Sequence, residues 1–203
     1  MSRYTGPRRR VVRRLGVRLD GLTRKEAGEG ALPPGQHGAR RRKQPSEYGL
    51  RLQEKQKLRY YYGLTETQMR NYVQRAARQT GPTGGNLLKL LERRLDNVVF
   101  RLGLAPTIPA ARQLVGHGHV TVNGRRVSAP AFEVSVGDAV TVRERSREHP
   151  SVVEGVTNGP TLTLPAYLER AADNLGGKMT GDPGRQDVPI DFRESLIVEF
   201  YAR

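Results

Sequence analysis

The sequence predicts an α+β fold: a mainly helical part, a small α/β module of two helices followed by a largely antiparallel sheet, and an extended basic N-terminal arm. Three observations carry this expectation. Apolar residues recur at helical spacing between residues 48 and 115, strand and hairpin signals replace them from residue 120, and residues 1–46 are rich in Arg, Gly and Pro.

In the arm, 13 Lys and Arg stand against 3 Asp and Glu, a net of +10, with few large apolar side chains. Such a segment is expected to bury too little surface to fold as an ordinary domain and to order only against a partner. Behind Arg3, Arg8-Arg9-Arg10 with Arg13-Arg14 form one cationic run. Arg40-Arg41-Arg42-Lys43 form a second, directly after Pro34-Gly35-Gln36-His37-Gly38. Pro and Gly set a compact turn there, whose free N–H groups beside Gln36, His37 and four cations suit phosphate contact. A solvated tail or a localisation signal is the bland alternative.

Residues 48–62 read as a helix. Arg51, Lys55 and Arg59 fall at i, i+4, i+8 on one face, with Lys57 nearby, while Leu52, Leu58, Tyr61 and Tyr62 supply an apolar side. Gly63 stops it, and Thr65-Glu66-Thr67-Gln68 has capping-box spacing. Met69, Tyr72, Val73, Ala76 and Ala77 then form an apolar stripe that leaves Arg70, Arg75 and Arg78 outside. After the break at residues 81–85, Asn86 is expected to cap one long helix carrying Leu87, Leu88, Leu91, Leu95, Val98, Val99 and Leu102, ended by Gly103. Thr107 caps a short helix through Val115, with Pro109 in its first turn.

Residues 120–127 around Asn123-Gly124 carry the strongest short hairpin signal, and residues 132–136 and 139–142 around Gly137-Asp138 read as a second hairpin. Beyond residue 147 the expectations are short strands at 152–156 and 161–164, a short helix over 166–174 and a loop over 176–189. Residues 195–201 fit either a helix or a strand, and the helix is the reading adopted.

The whole chain of 203 residues holds 35 Lys and Arg against 20 Asp and Glu, a net of +15, distributed as +10 in residues 1–46, +8 in 47–146 and −3 in 147–203. Uncompensated charge of this size points to a polyanion, and nucleic acid is the expected partner. No apolar run approaches a membrane span and the N-terminus lacks an apolar signal region, so a soluble cytoplasmic protein without a membrane partner is expected. The absence of Cys excludes disulfides, thiolate nucleophiles and Cys-based metal sites. His117-x-His119, with no Cys or clear carboxylate partner, makes a weak metal pair, and neither metal nor cofactor is expected. Tyr60, Tyr61 and Tyr62 suit base stacking, although at least one is expected to pack internally.

Residues 35–40 (GQHGAR), 54–59 (EKQKLR), 70–72 (RNY), 94–103 (RLDNVVFRLG), 111–115 (ARQLV) with His117-Gly118-His119, 122–124 (VNG) and 196–201 (LIVEFY) together resemble the family of protein four of the bacterial small ribosomal subunit, in order from Arg3 to Arg203. The resemblance implies a structural, non-enzymatic constituent of the ribosome. It would be a primary binder of small-subunit ribosomal RNA at a multi-helix junction of the 5′ domain, nucleating assembly of the subunit body. It also implies contact with small-subunit protein five, an influence on translational accuracy together with protein twelve, proximity to messenger RNA and, in some bacteria, repression of the protein's own message. The implied organisation is an arm over residues 1–46, a helical domain over 47–91 plus 178–203, and an inserted RNA-binding module over 92–177 with its core at 92–152. In the module, Arg94, Arg101, Arg112, Gln113, His117, His119 and Arg125 match the family's basic surface; Lys57 and Arg70 join Arg51, Lys55 and Arg59 as candidates outside it.

Three departures stand out. The four N-terminal Cys of many relatives are missing, which predicts a zinc-free arm. Thr107-Ile108 replaces a frequent Ser-Arg, and the stretch after Pro150 matches poorly. Two other classes compete. An RNA-modifying enzyme of the pseudouridine synthase type finds support in Arg94-Leu95-Asp96, but Asp96 lacks the following Thr and Gly and no catalytic domain remains. A DNA-binding regulator is disfavoured because the charge is spread over an arm and several faces rather than one recognition helix.

Overall fold

The computed structural model describes residues 4–25, 32–38 and 44–202. The described helices are α1 (Arg8–Leu15), α2 (Glu47–Tyr61), α3 (Glu66–Ala77), α4 (Thr83–Glu92), α5 (Leu95–Arg101), α6 (Ile108–Gly116), α7 (Pro150–Asn158) and α8 (Glu194–Tyr201). The strands are β1 (Val120–Val122), β2 (Arg125–Arg126), β3 (Ala139–Val142), β4 (Leu168–Arg170) and β5 (Gly176–Met179). The chain divides into two compact units, Met1–Leu87 with Ile190–Arg203, and Leu88–Pro189. Among the described residues, no helix is long and apolar enough to cross a membrane.

In the first unit, the basic arm contains structure that its composition hides. Val11, Val12 and Leu15 share one face of α1 and are buried, as are Leu19 and Leu22 beyond it. Gly16 ends the helix in the left-handed conformation, the Gln53 amide of α2 donates to the Leu15 carbonyl at 3.3 Å, and Tyr4 meets Tyr60 edge-on at 5.3 Å. The expectation of an arm ordered only by a partner is therefore corrected over the described residues: Val11, Val12 and Leu15 make a buried face of α1, and the segment meets α2 through the Leu15 carbonyl and Tyr4.

The capping box is formed as its spacing predicts, with Gln68 N–H donating to Thr65 Oγ1 at 3.3 Å and Thr65 N–H to Gln68 Oε1 at 3.1 Å. Behind it Met69, Tyr72, Val73 and Ala76 are buried, while Ala77 is exposed. Residues 194–201 form a helix, α8, which packs on α2 through Tyr48 and Phe200, ring centres 5.7 Å apart. Lys55 Nζ donates to both Glu66 carboxylate oxygens at 2.9 and 3.0 Å, lies 4.5 Å from the Phe200 ring centre, and Tyr201 donates to Glu66 at 2.7 Å. One carboxylate thus joins α2, α3 and α8. Burial opposes its ionisation, but the hydrogen bonds from Lys55 and Tyr201 and the charges of Lys55 and Arg59 outweigh burial and hold the Glu66 carboxyl below its ordinary value.

Asn86 does not start the next helix. α4 begins three residues earlier, and the buried Asn86 amide donates to the carbonyls of Ala76, Gln79 and Thr80, each at 3.3 Å. It satisfies the end of α3 instead of the start of α4.

The second unit begins within α4. The long helix expected over residues 86–103 breaks at Arg93-Arg94, where Arg94 is extended with ψ 136°. The free N–H groups of the α5 first turn donate to Phe132 and Pro130 at 2.8 and 3.1 Å, and Val134 N–H donates to the Arg93 carbonyl at 2.8 Å. Residues 130–134 are thereby committed to the helix break, which is why the expected second hairpin with 139–142 does not form.

All five strands are antiparallel, in the order β2-β1-β3-β5-β4. Asn123 and Gly124 carry φ of 50° and 76°, as a two-residue hairpin turn requires. β3 pairs with β1 through Val120 opposite Val142 and Val122 opposite Val140, which places Val on one face and Thr121 and Thr141 on the other. Gly177 opposes Val140; a Cβ there would collide with the Glu169 carbonyl and with Leu102, the C-cap of α5, so glycine sets how closely the end of the helix approaches the sheet.

The last quarter departs most from expectation. Residues 150–158 are helical rather than extended, residues 161–164 form no strand, residues 166–174 contain β4 rather than a helix, and the glycine-rich stretch after 176 opens with β5. Because β5 pairs with β3, residues 178–189 belong to the second unit, against a domain boundary at 178.

Replacing Asn86 with Ala removes a buried side-chain donor shared by three carbonyls and is expected to destabilise the protein by about 1–3 kcal/mol in urea unfolding. Glu66→Gln is expected to lower the melting temperature at pH 7. A depressed carboxyl stabilises above its unfolded value and loses that contribution as pH falls through its folded value. The gap between wild type and variant therefore closes on acidification below pH 4.5, as melting curves across pH would record.

Candidate nucleic-acid interface

Four of the six charged residues over 92–112 are buried. Arg94 Nη2 and Nε donate to the Asp96 carboxylate at 2.6 and 3.0 Å, and Arg112 from α6 reaches the same carboxylate at 2.8 and 3.1 Å. Beside it, Glu92 Oε2 accepts from Asn97 at 2.9 Å, Arg101 at 3.3 Å and the Tyr167 hydroxyl at 2.6 Å, and Arg101 donates on to the Asp187 carbonyl. Asp96 and Glu92 are fully buried, and Arg94 and Arg101 are 2% exposed. Burial and the adjacent Glu92 charge push the Tyr167 phenol far above its ordinary value.

This network corrects three readings. Arg94 and Arg101 do not lie on an exposed basic surface, because their guanidiniums neutralise carboxylates inside the second unit. Arg112 is half-buried and tied to Asp96. Asp96 itself is saturated by two guanidiniums and a backbone N–H, so it presents no free carboxylate for base chemistry.

In the first unit the face of Arg51, Lys55 and Arg59 is likewise engaged. Arg51 pairs with Glu199 at 2.9 Å and Glu47 at 3.5 Å, Lys55 is buried against Glu66, and Arg59 bonds Gln56 at 2.8 Å and covers the Tyr60 ring at 4.4 Å. Lys57 pairs with Glu54 at 2.6 Å. Spacing placed these cations correctly, but the face they share packs on the neighbouring helices. Tyr61 and Tyr62 are buried, and Tyr60 is half-buried.

The exposed cations lie elsewhere. Arg8, Arg9, Arg10 and Arg14 of α1 are exposed, Arg8 also donating to the Leu22 carbonyl at 3.5 Å, while Arg13 donates to the Leu32 and Pro33 carbonyls at 2.8 and 3.4 Å and ties α1 to the turn carrying exposed Gln36 and His37. Arg70, Arg75 and Arg78 are exposed along α3. Arg3, Arg40, Arg41, Arg42 and Lys43 lie outside the described residues.

In the second unit Gln113, His117 and Arg125 are exposed and His119 is half-buried. The structure adds Arg126, Arg143, Arg145 and Arg147, which sequence reasoning missed. Arg143, Arg145 and Arg147 line a groove of about 460 Å³ with Thr121, Thr141, Glu144 and Asp173. Their alternation at 143, 145 and 147 was the available signal, and a 3-10 turn at Glu144–Ser146 spreads them around the strand end. Among the described residues, no group of three or more His, Asp or Glu is placed to hold a metal ion.

Charge divides unequally between the units: the first carries 22 Lys and Arg against 9 Asp and Glu, a net of +13, and the second 13 against 11, a net of +2. A strongly basic helical unit joined to a small two-helix and hairpin module defines a multi-surface RNA-binding protein rather than an enzyme. The family model described as Ribosomal protein S4/S9 N-terminal domain matches residues 3–92, and that described as S4 domain matches residues 93–140. The chain is 54% identical to small ribosomal subunit protein uS4 of Thermosynechococcus vestitus and of Nostoc punctiforme, over all of this chain and 99% of each relative. It is 52% identical to small ribosomal subunit protein uS4c of Cyanophora paradoxa over the full length of both. The chain belongs to the family of small ribosomal subunit protein uS4.

Asp96→Asn takes away the carboxylate charge that the buried Arg94 and the half-buried Arg112 share and is expected to cost about 3–5 kcal/mol in urea unfolding. Asp96→Asn combined with Arg94→Met is expected to be less damaging than the single change, since it also removes a buried cation that the lost carboxylate neutralised.

Proposed function

We propose that the protein is a structural constituent of the small ribosomal subunit in the cytoplasm, where it binds the junction of helices in the 5′ domain of ribosomal RNA and nucleates assembly of the subunit body. The observation that carries this reading is the +13 charge of the first unit, exposed on α1 and α3, beside an S4-domain match. A junction offers phosphates from several directions and little readable major groove, so cations presented on separated faces neutralise it where one recognition helix would not. Protein five as a neighbour, nearness to messenger RNA and a contribution to translational accuracy extend the same reading and rest on family membership.

The Arg-rich helix gives the reading its measurable form. Each cation on a phosphate releases condensed counterions, so log affinity falls linearly with log salt. Substituting Arg8, Arg9, Arg10 and Arg14 with Gln spares the buried Val11, Val12 and Leu15. It is expected to leave the thermal transition in place and to reduce the salt slope by about 0.7–0.9 for each phosphate that the variant no longer neutralises. Filter binding to the 5′ domain across a salt series measures this. Equal affinity of the wild type for the 5′ domain, generic duplex RNA and duplex DNA would sink the ribosomal reading.

A further inference from the structure

The second unit gathers three imidazoles and two guanidiniums around Gly118. His119 lies between its neighbours, its ring centre 4.7 Å from that of His149 and 6.1 Å from that of His117. Arg143 Nη1 donates to the Gly118 carbonyl at 3.2 Å. The Arg126 guanidinium occupies the space above the Gly118 α-carbon, where a Cβ would collide with it. These groups come from separate elements: His117 and His119 from the turn after α6, Arg126 from β2, Arg143 from the end of β3 and His149 from the start of α7. Glu144 and Glu148, the acids of the same stretch, are exposed. After burial, the strongest influences on His119 are the charges of His149, His117, Arg143 and Arg126, all opposing its protonation, so the free protein holds this ring below its ordinary value.

His149 Nδ1 accepts from Ser151 N–H at 3.3 Å and caps α7. His119 Nδ1 meets the buried Ser146 hydroxyl at 2.9 Å, and a hydroxyl donates or accepts with no movement of its oxygen. His119 therefore keeps this bond when it takes up a proton, while the acceptor role of His149 Nδ1 leaves its Nε2–H as a donor.

We propose that His117, His119, His149, Arg126 and Arg143 form a site for a phosphate of the RNA backbone, occupied with uptake of a proton by His119. The inference rests on the RNA-binding reading above and adds to it a defined anion site, His149, Arg126 and Arg143, and a dependence on pH. A phosphate replaces the repulsion among five cationic or ionisable groups with attraction, which raises the affinity of His119 for its proton. Binding consequently strengthens as pH falls through the window between the free and bound values of that ring.

The test is titration calorimetry of the full chain with the 5′-domain RNA at fixed salt, in buffers of different ionisation heat, from pH 6 to 8. The wild type is expected to take up about half to one proton more than His119→Gln, which corresponds to about 3- to 10-fold tightening per pH unit relative to that variant. Arg126→Gln, with the histidines intact, is expected to reduce the salt slope by about 0.7–0.9. His149→Asn retains an α7 cap and is expected to weaken binding without unfolding the unit. Selective RNA binding with the same proton uptake in the wild type and His119→Gln overturns this site alone; loss of selectivity for the 5′ domain in the wild type overturns the RNA-binding reading with it. If millimolar inorganic phosphate shifts the His119 ring titration by NMR while RNA binding stays independent of pH, the site serves free phosphate and the RNA assignment is overturned.

Discussion

A chain with fifteen excess positive charges folds only where its few carboxylates are spent on the cations that must be buried. Three carboxylates do this. Glu66 ties α2, α3 and α8 together through Lys55 and Tyr201, while Glu92 and Asp96 hold Arg101, Arg94 and Arg112 inside the second unit. An isolated buried charge is costly, and a paired, fully hydrogen-bonded one is tolerable. The acids therefore sit at the crossings of elements, and many of the remaining cations point outward.

That division organises the binding surface. Cations that fold against a buried carboxylate become part of the packing, and those on the outer faces, Arg8, Arg9, Arg10 and Arg14 on α1 and Arg70, Arg75 and Arg78 along α3, stay exposed. The second unit, nearly neutral overall, presents basic side chains at the sheet end, where Arg126 and Arg143 meet the histidines and Arg145 and Arg147 line a groove with Arg143. Each unit thus presents basic side chains of its own, on α1 and α3 in the first and at the sheet end in the second.

Much of the helical architecture is legible in local signals, because capping and apolar periodicity act within one or two turns. Thr65 with Gln68, the stripe of α3 and the Asn123-Gly124 hairpin all form where their spacing indicates. The helix break at Arg93-Arg94 is not legible: residues 87–102 keep an unbroken apolar face, and the interruption comes from Pro130, Phe132 and Val134, which are remote in sequence. β4 and β5 escape notice for a related reason, since Gly176 and Gly177 read as loop until their close neighbours, Val140 and Thr141 of β3 for the first and Glu169 and Leu102 for the second, explain them. In the arm, five aliphatic residues among many arginines conceal a helix whose face is complete only once α2 lies against it.

The sequence by itself determined the excess charge, the absence of cysteine chemistry, the family resemblance and the bounds of α2, α3 and α6, because each depends on residue identity or on spacing within a few turns. Only the tertiary structure decided which arginines face solvent. Arg94 and Arg101 look like a basic surface at helical spacing, yet they become internal ion pairs. Arg126 and Arg143, inconspicuous in sequence, converge with His117, His119 and His149 on one glycine. The physical reason is that a charge's role depends on whether folding brings an opposite charge within hydrogen-bonding reach, and that distance is set by long-range packing that no local pattern encodes.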